Sequence, residues 1–296
     1  MTYYYRIFEL IISVPFACDE LIEVLPQQAN VIIIYGQVPD NLSVIEKQKL
    51  KWQVNKNQVL LKIPDAGKYL IEDGKSIIIE PEDNAFLDVI KLFLLGSALG
   101  AIQHQRQRLT LHASALTKGV HTILLCGHSG AGKSTTANIL IQQGFKLLSD
   151  DLAVIDFIDG DAIVTPAYPQ SKLWQDATEK LDIDYQNLNR VRNELNKYRM
   201  PIKDNFCKSS KKITYIVNLQ SNDIESATTN SLTVFEQLSV LKRHSYRKKY
   251  FTLEQAQGNF QACADLVDLV PVMQIIRPPL TNSLKQVAQL INQQLS

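Results

Sequence analysis

Short apolar runs separated by turn-forming residues make up the amino-terminal part of the chain. Val31 to Tyr35, Val59 to Ile63 and Ser76 to Ile79 are rich in β-branched or other apolar residues, which favour strands. Asp73-Gly74 separates the last two runs and is typical of a tight turn. The pattern predicts a small β-rich amino-terminal domain over residues 1–84.

A continuous apolar stretch follows, from Phe86 to about Gln105, and its apolar surface is too wide for a helix with one solvated face. Its most apolar part, Val89 to Ile102, contains Lys91 and is shorter than the roughly 20 apolar residues that a bilayer requires. The stretch therefore predicts a buried core helix, no membrane association, and the start of a second domain over residues 85–296.

Beyond this helix, strand-like and helix-like segments alternate, which predicts an α/β core whose strands are buried on both faces. A strand from Thr122 to Cys126 leads into a glycine-rich stretch and a helix from Lys133 to Gln143. The other predicted elements are strands Leu109 to Leu116 and Phe145 to Leu148, a hairpin of Leu152 to Ile158 with Ala162 to Val164, a helix Glu179 to Tyr198, strand Ile213 to Leu219, helices Glu236 to Arg243 and Glu254 to Leu269, strand Val272 to Ile276, and helix Asn282 to Leu295.

The composition is that of an ordinary globular protein, with 45% hydrophobic and 21% charged residues among 296. Its formal net charge of +1 gives no reason to expect general attraction to nucleic acid or to an anionic membrane. The apolar start, Met1 to Cys18, is interrupted by Glu9 and favours a strand over a signal peptide. The cysteines lie far apart without zinc spacing, so we expect buried free thiols and a cytoplasmic protein; they are Cys18, Cys126, Cys207 and Cys263.

The stretch Gly127 to Ser134, called the glycine-rich loop below, matches the phosphate-binding pattern GxxxxGK[ST]. Its glycines let successive backbone N–H groups point at phosphate oxygens, and the helix that follows adds a positive dipole end. Lys133 is expected to bridge the terminal phosphates of ATP, and Ser134 to bind Mg²⁺. The candidate nucleotide-binding residues are Gly127, Ser129, Gly130, Ala131, Gly132, Lys133, Ser134 and Thr135.

Two adjacent carboxylates, Asp150 and Asp151, follow the predicted strand Phe145 to Leu148. The ends of core strands in an open α/β sheet face one crevice, so the pair is expected to lie near the glycine-rich loop. Adjacent carboxylates repel unless a cation or a donor lies between them, and Mg²⁺ with ATP would provide one. One carboxylate can act on a hydroxyl and the other on the metal; the alternative is that one of them caps a turn.

The order of Leu111-His112-Ala113-Ser114, the glycine-rich loop and Gly144 to Asp151 resembles the catalytic domain of HPr kinase/phosphorylase. The resemblance implies a P-loop kinase core, α/β in class, preceded by the small β-rich domain. It also implies that Asp150 is the base that receives a serine proton and that His112 lies beside the site. The roles left for Asp151 and Ser134 lead us to the hypothesis that they hold the metal. Without the resemblance, a single histidine on a strand is more often a core residue.

The chain also departs from that family, which has glutamate where Thr135 stands here and a different amino-terminal domain. These departures place HPr itself in doubt as the acceptor. A narrower resemblance is to stand-alone HPr kinase-like proteins of peptide-modifying systems, including those that phosphorylate lasso-peptide precursors. The matching features are Tyr168-Pro169, Leu173-Trp174 and Val270-Pro271-Val272, and the carboxyl-terminal motif of the family has as counterpart the stretch Arg277-Pro278-Pro279-Leu280-Thr281-Asn282.

The sequence thus predicts a kinase that transfers phosphate from ATP to serine on a peptide or protein. Two alternatives remain open: a small-molecule kinase acting, for example, on free serine, and a nucleotide-binding regulatory module with little turnover. HPr kinases form hexamers, so self-association is possible here too. Downstream cations could neutralise the transferring phosphoryl group; Arg277, Arg199 and Lys172 are the main candidates, with Arg192 and Lys197 beside them.

A basic run with interleaved tyrosines lies near the carboxyl end, at residues 242–250. Arg247, Lys248 and Lys249 stand between Tyr246 and Tyr250. Such a run could dock an acidic peptide or nucleic acid, but a solvated helix end is the simpler interpretation, because the net charge gives no support for nucleic acid.

Overall fold

In a computed structural model of the chain, residues 1–192, 194–279 and 283–295 are described. The chain divides into two compact units, one of Met1–Thr110 with Ser245–Gln261 and the other of Leu111–His244 with Ala262–Ser296. This division differs from the predicted boundary after residue 84, because the long apolar helix belongs to the first unit and a later segment returns to it.

The first unit contains a nine-stranded sheet in the order β3-β1-β2-β4-β9-β8-β7-β6-β5. β4 is parallel to both of its neighbours, whereas the strands from β9 to β5 form successive antiparallel pairs. The predicted strands in this region are confirmed as β4, β7 and β9. The bounds are β1 (Tyr3–Ile7), β2 (Leu10–Val14), β3 (Ile22–Glu23), β4 (Val31–Tyr35), β5 (Lys47–Lys49), β6 (Trp52–Val54), β7 (Gln58–Ile63), β8 (Gly67–Glu72) and β9 (Ser76–Pro81).

The long apolar helix is continuous from α1 (Leu87–Phe93) through a π-helical turn (Leu94–Ala98) to α2 (Leu99–Gln105). The Tyr69 hydroxyl donates to the Ile90 carbonyl at 3.1 Å and ties this helix to β8. By length and composition alone the 19-residue helix could cross a membrane, but 67% of its apolar window is buried inside the structure. That burial matches the predicted core helix.

From Leu109 onward, strands and helices alternate, so the chain is mixed α/β with several sheets. The central sheet has six strands in the order β13-β11-β12-β19-β21-β20, with β12, β19 and β21 parallel. The bounds are β10 (Leu109–Leu111), β11 (Ala113–Lys118), β12 (His121–Gly127), α3 (Lys133–Gln142), β13 (Lys146–Ser149), β14 (Ala153–Ile158), β15 (Asp161–Thr165), β16 (Gln170–Trp174), α4 (Gln175–Lys180), β17 (Lys197–Pro201), β18 (Lys211–Lys212), β19 (Tyr215–Ser221), β20 (Thr228–Ser231), α5 (Val234–His244), a 3₁₀ turn (Lys248–Tyr250), α6 (Leu253–Leu269), β21 (Val272–Arg277) and α7 (Ser283–Leu295).

The predicted helix from Glu179 to Tyr198 is wrong. α4 ends at Lys180, and the chain then makes turns before β17. Asp and Asn are frequent here, and their short polar side chains favour turns because they bond nearby backbone groups. Asp184 shows the effect, since its carboxylate accepts from the Gln186 N–H at 3.0 Å.

The predicted strand from Leu109 to Leu116 is two strands, β10 and β11, which belong to different sheets. The break falls at His112, whose backbone N–H donates to the His244 carbonyl at 2.7 Å. His112 therefore interrupts the strand ladder. It lies next to the end of β12, where the glycine-rich loop begins. The predicted helix start at Asn282 lies outside the described residues, and α7 is described from Ser283.

Candidate active site

The glycine-rich loop connects the central strand β12 to α3, and its backbone requires glycine at three positions. Gly127, Gly130 and Gly132 have φ angles of 154°, 82° and 99°. A Cβ atom on Gly127 would lie 2.6 Å from the Leu219 carbonyl oxygen, and one on Gly132 would lie 2.5 Å from the Leu284 side chain. The loop therefore packs too tightly, and in too unusual a conformation, for other residues there.

Lys133 folds back onto this loop. Its Nζ donates to the Gly127 carbonyl at 2.7 Å and to the His128 carbonyl at 3.3 Å. Burial lowers the pKa of the Lys133 amine below its ordinary value, although Asp151 acts in the opposite direction. A buried ammonium group held by carbonyls keeps its positive charge at the floor of the loop, where an anion can compensate it.

Arg277, at the end of β21, supports the other side of the loop. Its Nε donates to the Ala131 carbonyl at 2.9 Å, and its Nη1 donates to the Pro278 carbonyl at 2.7 Å. Nη2 lies 3.4 Å from the Gly130 carbonyl oxygen. The side chain is 5% exposed, so this fork joins the loop to the strand end and places a second cation beneath it.

A cavity of about 260 Å³ opens beside the loop. Ten candidate site residues line it, and seven other residues complete its wall. The candidates are His112, Ser129, Gly130, Gly132, Lys133, Ser134, Thr135, Asp151, Lys197 and Arg277. The others are His128, Leu173, Trp174, Asp176, Ala177, Pro279 and Leu284.

Asp151 is the member of the aspartate pair that faces this cavity. Its backbone is left-handed, with φ 72°, and its Oδ2 lies 3.3 Å from Lys172 Nζ. Burial raises the pKa of the Asp151 carboxyl, but the charges of Lys172 and Lys197 outweigh burial and hold it well below its usual range. The carboxylate therefore stays ionised throughout the neutral pH range.

Asp150 points elsewhere and does not line the cavity. Its carboxylate is 6% exposed and accepts three hydrogen bonds, from Ser114 Oγ at 2.7 Å, Ser171 Oγ at 3.0 Å and the Lys172 backbone N–H at 2.9 Å. These bonds join β11, the turn after β13 and β16. These contacts hold the carboxylate among neighbouring groups, and the base role that the resemblance implies for Asp150 stays a prediction.

His112 lies between the aspartate turn and the loop. Its Nδ1 is 2.9 Å from the Asp151 carbonyl oxygen. Burial lowers the pKa of His112, and the nearby Lys133 charge adds to this effect against the pull of Asp151. A neutral imidazole is thus favoured beside the cavity at neutral pH.

A pair of histidine rings, His128 and His244, also lies at the loop. His128 in the loop meets His244 edge to face, with ring centroids 5.5 Å apart. Burial first, and then the Lys133 charge, lower the pKa of His244 to about 3, so this ring is neutral. Its Nε2 lies 3.2 Å from Asn218 Oδ1. The neutral His244 ring therefore packs against the loop without adding charge to it.

Lys172 and Arg199 are the other two main cation candidates. They occupy facing positions in the two-stranded β16–β17 sheet. The structure brings Lys172 into the site through Asp151. Arg199 lies outside the cavity lining, and its Nη2 donates to the Val191 carbonyl at 3.3 Å. Lys197 on the same strand does line the cavity, so of the two it is the cation placed near the loop.

The residues present fit Mg²⁺ bound together with a nucleotide. Ser134 and Asp151 line the same cavity and supply the oxygen ligands that Mg²⁺ prefers. Among the described residues no group of three or more His, Cys, Asp or Glu side chains could hold a metal by itself. Where one or two protein oxygens bind Mg²⁺, the phosphates of the nucleotide complete its shell.

Sequence reasoning missed Asp176 and the anchoring role of Ser171. Asp176 stands in the first turn of α4, a position common for aspartate in any helix, so nothing marked it as a cavity residue. Ser171 lies 21 residues from Asp150, and no local pattern connects the two. Trp174, which also lines the cavity, carried a signal only through the Leu173-Trp174 pair.

No protein-family model matches the chain, and no curated protein matches it. Among solved structures, the chain is similar to the Hpr(Ser) kinase/phosphatase from Coxiella burnetii, with a TM-score of 0.33 and 13% sequence identity. The match covers 62% of this chain and 95% of that one. A likeness at this level does not establish a family.

Proposed function

We propose that this protein is an ATP-dependent kinase that transfers the γ-phosphoryl group to a serine hydroxyl on a peptide or protein. One observation carries the proposal: the ionised carboxylate of Asp151 shares a cavity with Lys133 and the glycine-rich loop. Buried cations and backbone N–H groups suit the phosphates, and a carboxylate across the same cavity suits the acceptor.

The nucleotide's phosphates would lie on the glycine-rich loop, where Lys133 turns from the Gly127 carbonyl to the phosphate oxygens. Ser134 would hold Mg²⁺, which supplies charge neutralisation for the phosphates when bound, and this leaves the Asp151 carboxylate for the acceptor. Arg277 would maintain the conformation of the loop through its hydrogen bond to the Ala131 carbonyl. These roles use only positioning and electrostatics, the two contributions that phosphoryl transfer requires from a protein.

We assign the acceptor-facing role to Asp151. In the transfer, the serine Oγ forms a bond to the γ-phosphorus while the bond to the β–γ bridging oxygen breaks, and ADP leaves with that electron pair. Asp151 orients the hydroxyl and receives its proton. A carboxylate with a low pKa accepts this proton late, as a loose transition state allows.

Asp150 acts through its neighbour as a positioning residue. Its bonds to Ser114 Oγ, Ser171 Oγ and the Lys172 N–H fix the turn that carries Asp151. They also place Lys172 so that its ammonium group reaches the Asp151 carboxylate.

The test is transfer from γ-labelled ATP to a panel of acceptors: serine-containing peptides, the same peptides with alanine in place of serine, free serine, and buffer alone. Label on the serine peptides, with none on the alanine versions, supports the proposal. Label on free serine alone would indicate a small-molecule kinase. ATP binding without any transfer would indicate a regulatory module and contradict the proposal.

A further inference from the structure

The nine-stranded sheet of the first unit has an open edge at β5. β5 (Lys47–Lys49) is the last strand in the order of the nine-stranded sheet and pairs only with β6 among the strands of this fully described sheet. All three of its residues are exposed. An exposed edge presents unpaired backbone N–H and C=O groups, to which another extended chain can add as a strand.

Cations cluster at this edge. Lys49 and Lys51 stand at the β5–β6 turn, and their charges act on Lys249 in the segment Arg247 to Lys249. The pKa of Lys249 is lowered by burial and then by the charges of Arg247, Lys49 and Lys51. These cations come from two distant parts of the sequence, so the fold assembles the patch.

Direct contacts hold the two parts together. The Trp52 and Tyr250 rings meet edge to face with centroids 5.4 Å apart, and Lys47 Nζ lies 3.4 Å from the Phe251 carbonyl oxygen. Tyr250 is 4% exposed, so its ring packs inward and is no platform for a nucleic-acid base. Of the two tyrosines interleaved in the basic run, Tyr250 is thus part of the core.

We propose that this basic edge docks an acidic, extended segment of a peptide or protein by strand addition to β5. Backbone hydrogen bonds would supply affinity, and Lys49, Lys51 and the Arg247 to Lys249 segment would select for acidic side chains. The same charge discourages pairing between two copies of this chain, because two basic edges repel. That the segment belongs to the phosphoryl acceptor rests on the proposed function.

Binding is measured first, without nucleotide, by fluorescence anisotropy of a labelled peptide in which glutamate alternates with valine around one serine. We expect the peptide with glutamine in place of glutamate to bind about tenfold more weakly at low salt, and added salt to remove most of the difference. Lys49→Glu with Lys51→Glu should weaken binding of the acidic peptide by about tenfold or more. Lys75→Glu, at the β8–β9 turn, is the exposed control and should bind as wild type.

Two further probes test the mode of docking. A peptide N-methylated at alternate backbone positions cannot pair as a strand, so equal binding of that peptide would overturn strand addition. A labelled single-stranded oligonucleotide that binds more tightly than the acidic peptide would overturn the choice of partner. Unchanged melting temperatures show that the lysine variants fold.

Label transfer separates this inference from the proposed function. If serine peptides are phosphorylated and the lysine pair variant shows an unchanged KM, the docking inference fails while the kinase proposal stands. If the acidic peptide binds in a Lys49-dependent way and no label is transferred, docking stands and the kinase proposal fails.

Discussion

The two units bury positive charge in different ways. In the first unit, Lys91 is buried and lies 3.7 Å from the Glu20 carboxylate, which neutralises it. In the second, the buried Lys133 and Arg277 donate to backbone carbonyls around one loop. A cation paired with a carboxylate has its charge cancelled, whereas a cation held by carbonyls keeps its charge for an anion from outside. Buried charge of the second kind therefore marks the site.

The strongest test of this difference between the units is to remove one buried cation from each. Lys133→Met should lower phosphoryl transfer on the order of a thousandfold, because the charge on the terminal phosphates is lost. Lys91→Met should leave transfer unchanged and lower the free energy of unfolding by about 3 kcal/mol, because the Glu20 carboxylate stays buried without its partner. Steady-state transfer and urea unfolding measure the two effects; equal transfer in both variants would remove the distinction.

Arg277 tests whether geometry matters in addition to charge. Arg277→Lys keeps the cation but cannot reach the Ala131 and Pro278 carbonyls together, so the unfolding free energy should fall by about 2 kcal/mol and ATP binding should weaken. Arg199→Lys, outside the cavity, is the matched control. Calorimetric ATP titrations measure the affinity of both variants. A comparable loss of ATP affinity in Arg199→Lys would indicate that Arg199 also contributes to the site.

The pH dependence of the unfolding free energy tests the buried histidine of the first unit, His104. Burial lowers the pKa of His104 from 6.5 to about 4. Between these values the unfolded chain binds the proton and the folded chain does not, so stability is present above pH 6.5 and is lost as the pH falls toward 4.

His104→Gln removes this titration. We expect the loss of unfolding free energy across that pH range to become smaller by roughly 3 kcal/mol in the variant. Chemical unfolding at several pH values measures it, with His121→Gln, a partly exposed histidine, as the control. Parallel pH profiles for wild type and His104→Gln would show that His104 does not titrate in this way.

Local patterns were enough to predict the glycine-rich loop, because the glycines, Lys133 and the start of α3 lie within one short stretch. They also placed the aspartate pair after a strand. The hydrogen-bond partners of Asp150 could not be predicted, since Ser114 and Ser171 reach it from 36 and 21 residues away. The open strand edge at β5 depends in the same way on sheet order, which no single run of residues determines.

The most direct test of the account compares Asp151→Asn with Asp150→Asn. Asp151→Asn should lower transfer by about a thousandfold and leave ATP affinity within a few-fold of wild type, because it removes the proton acceptor and not the loop. In Asp150→Asn, an amide N–H₂ would face the donors Ser171 Oγ and the Lys172 N–H, so the unfolding free energy should fall by about 2 kcal/mol.

Single-turnover transfer, ATP affinity and unfolding free energy are measured together on these two variants and wild type. The account predicts that a folded Asp151→Asn loses transfer, and that Asp150→Asn loses stability. Wild-type transfer by Asp151→Asn, together with loss of transfer by a stably folded Asp150→Asn, would contradict it and return the base role to Asp150.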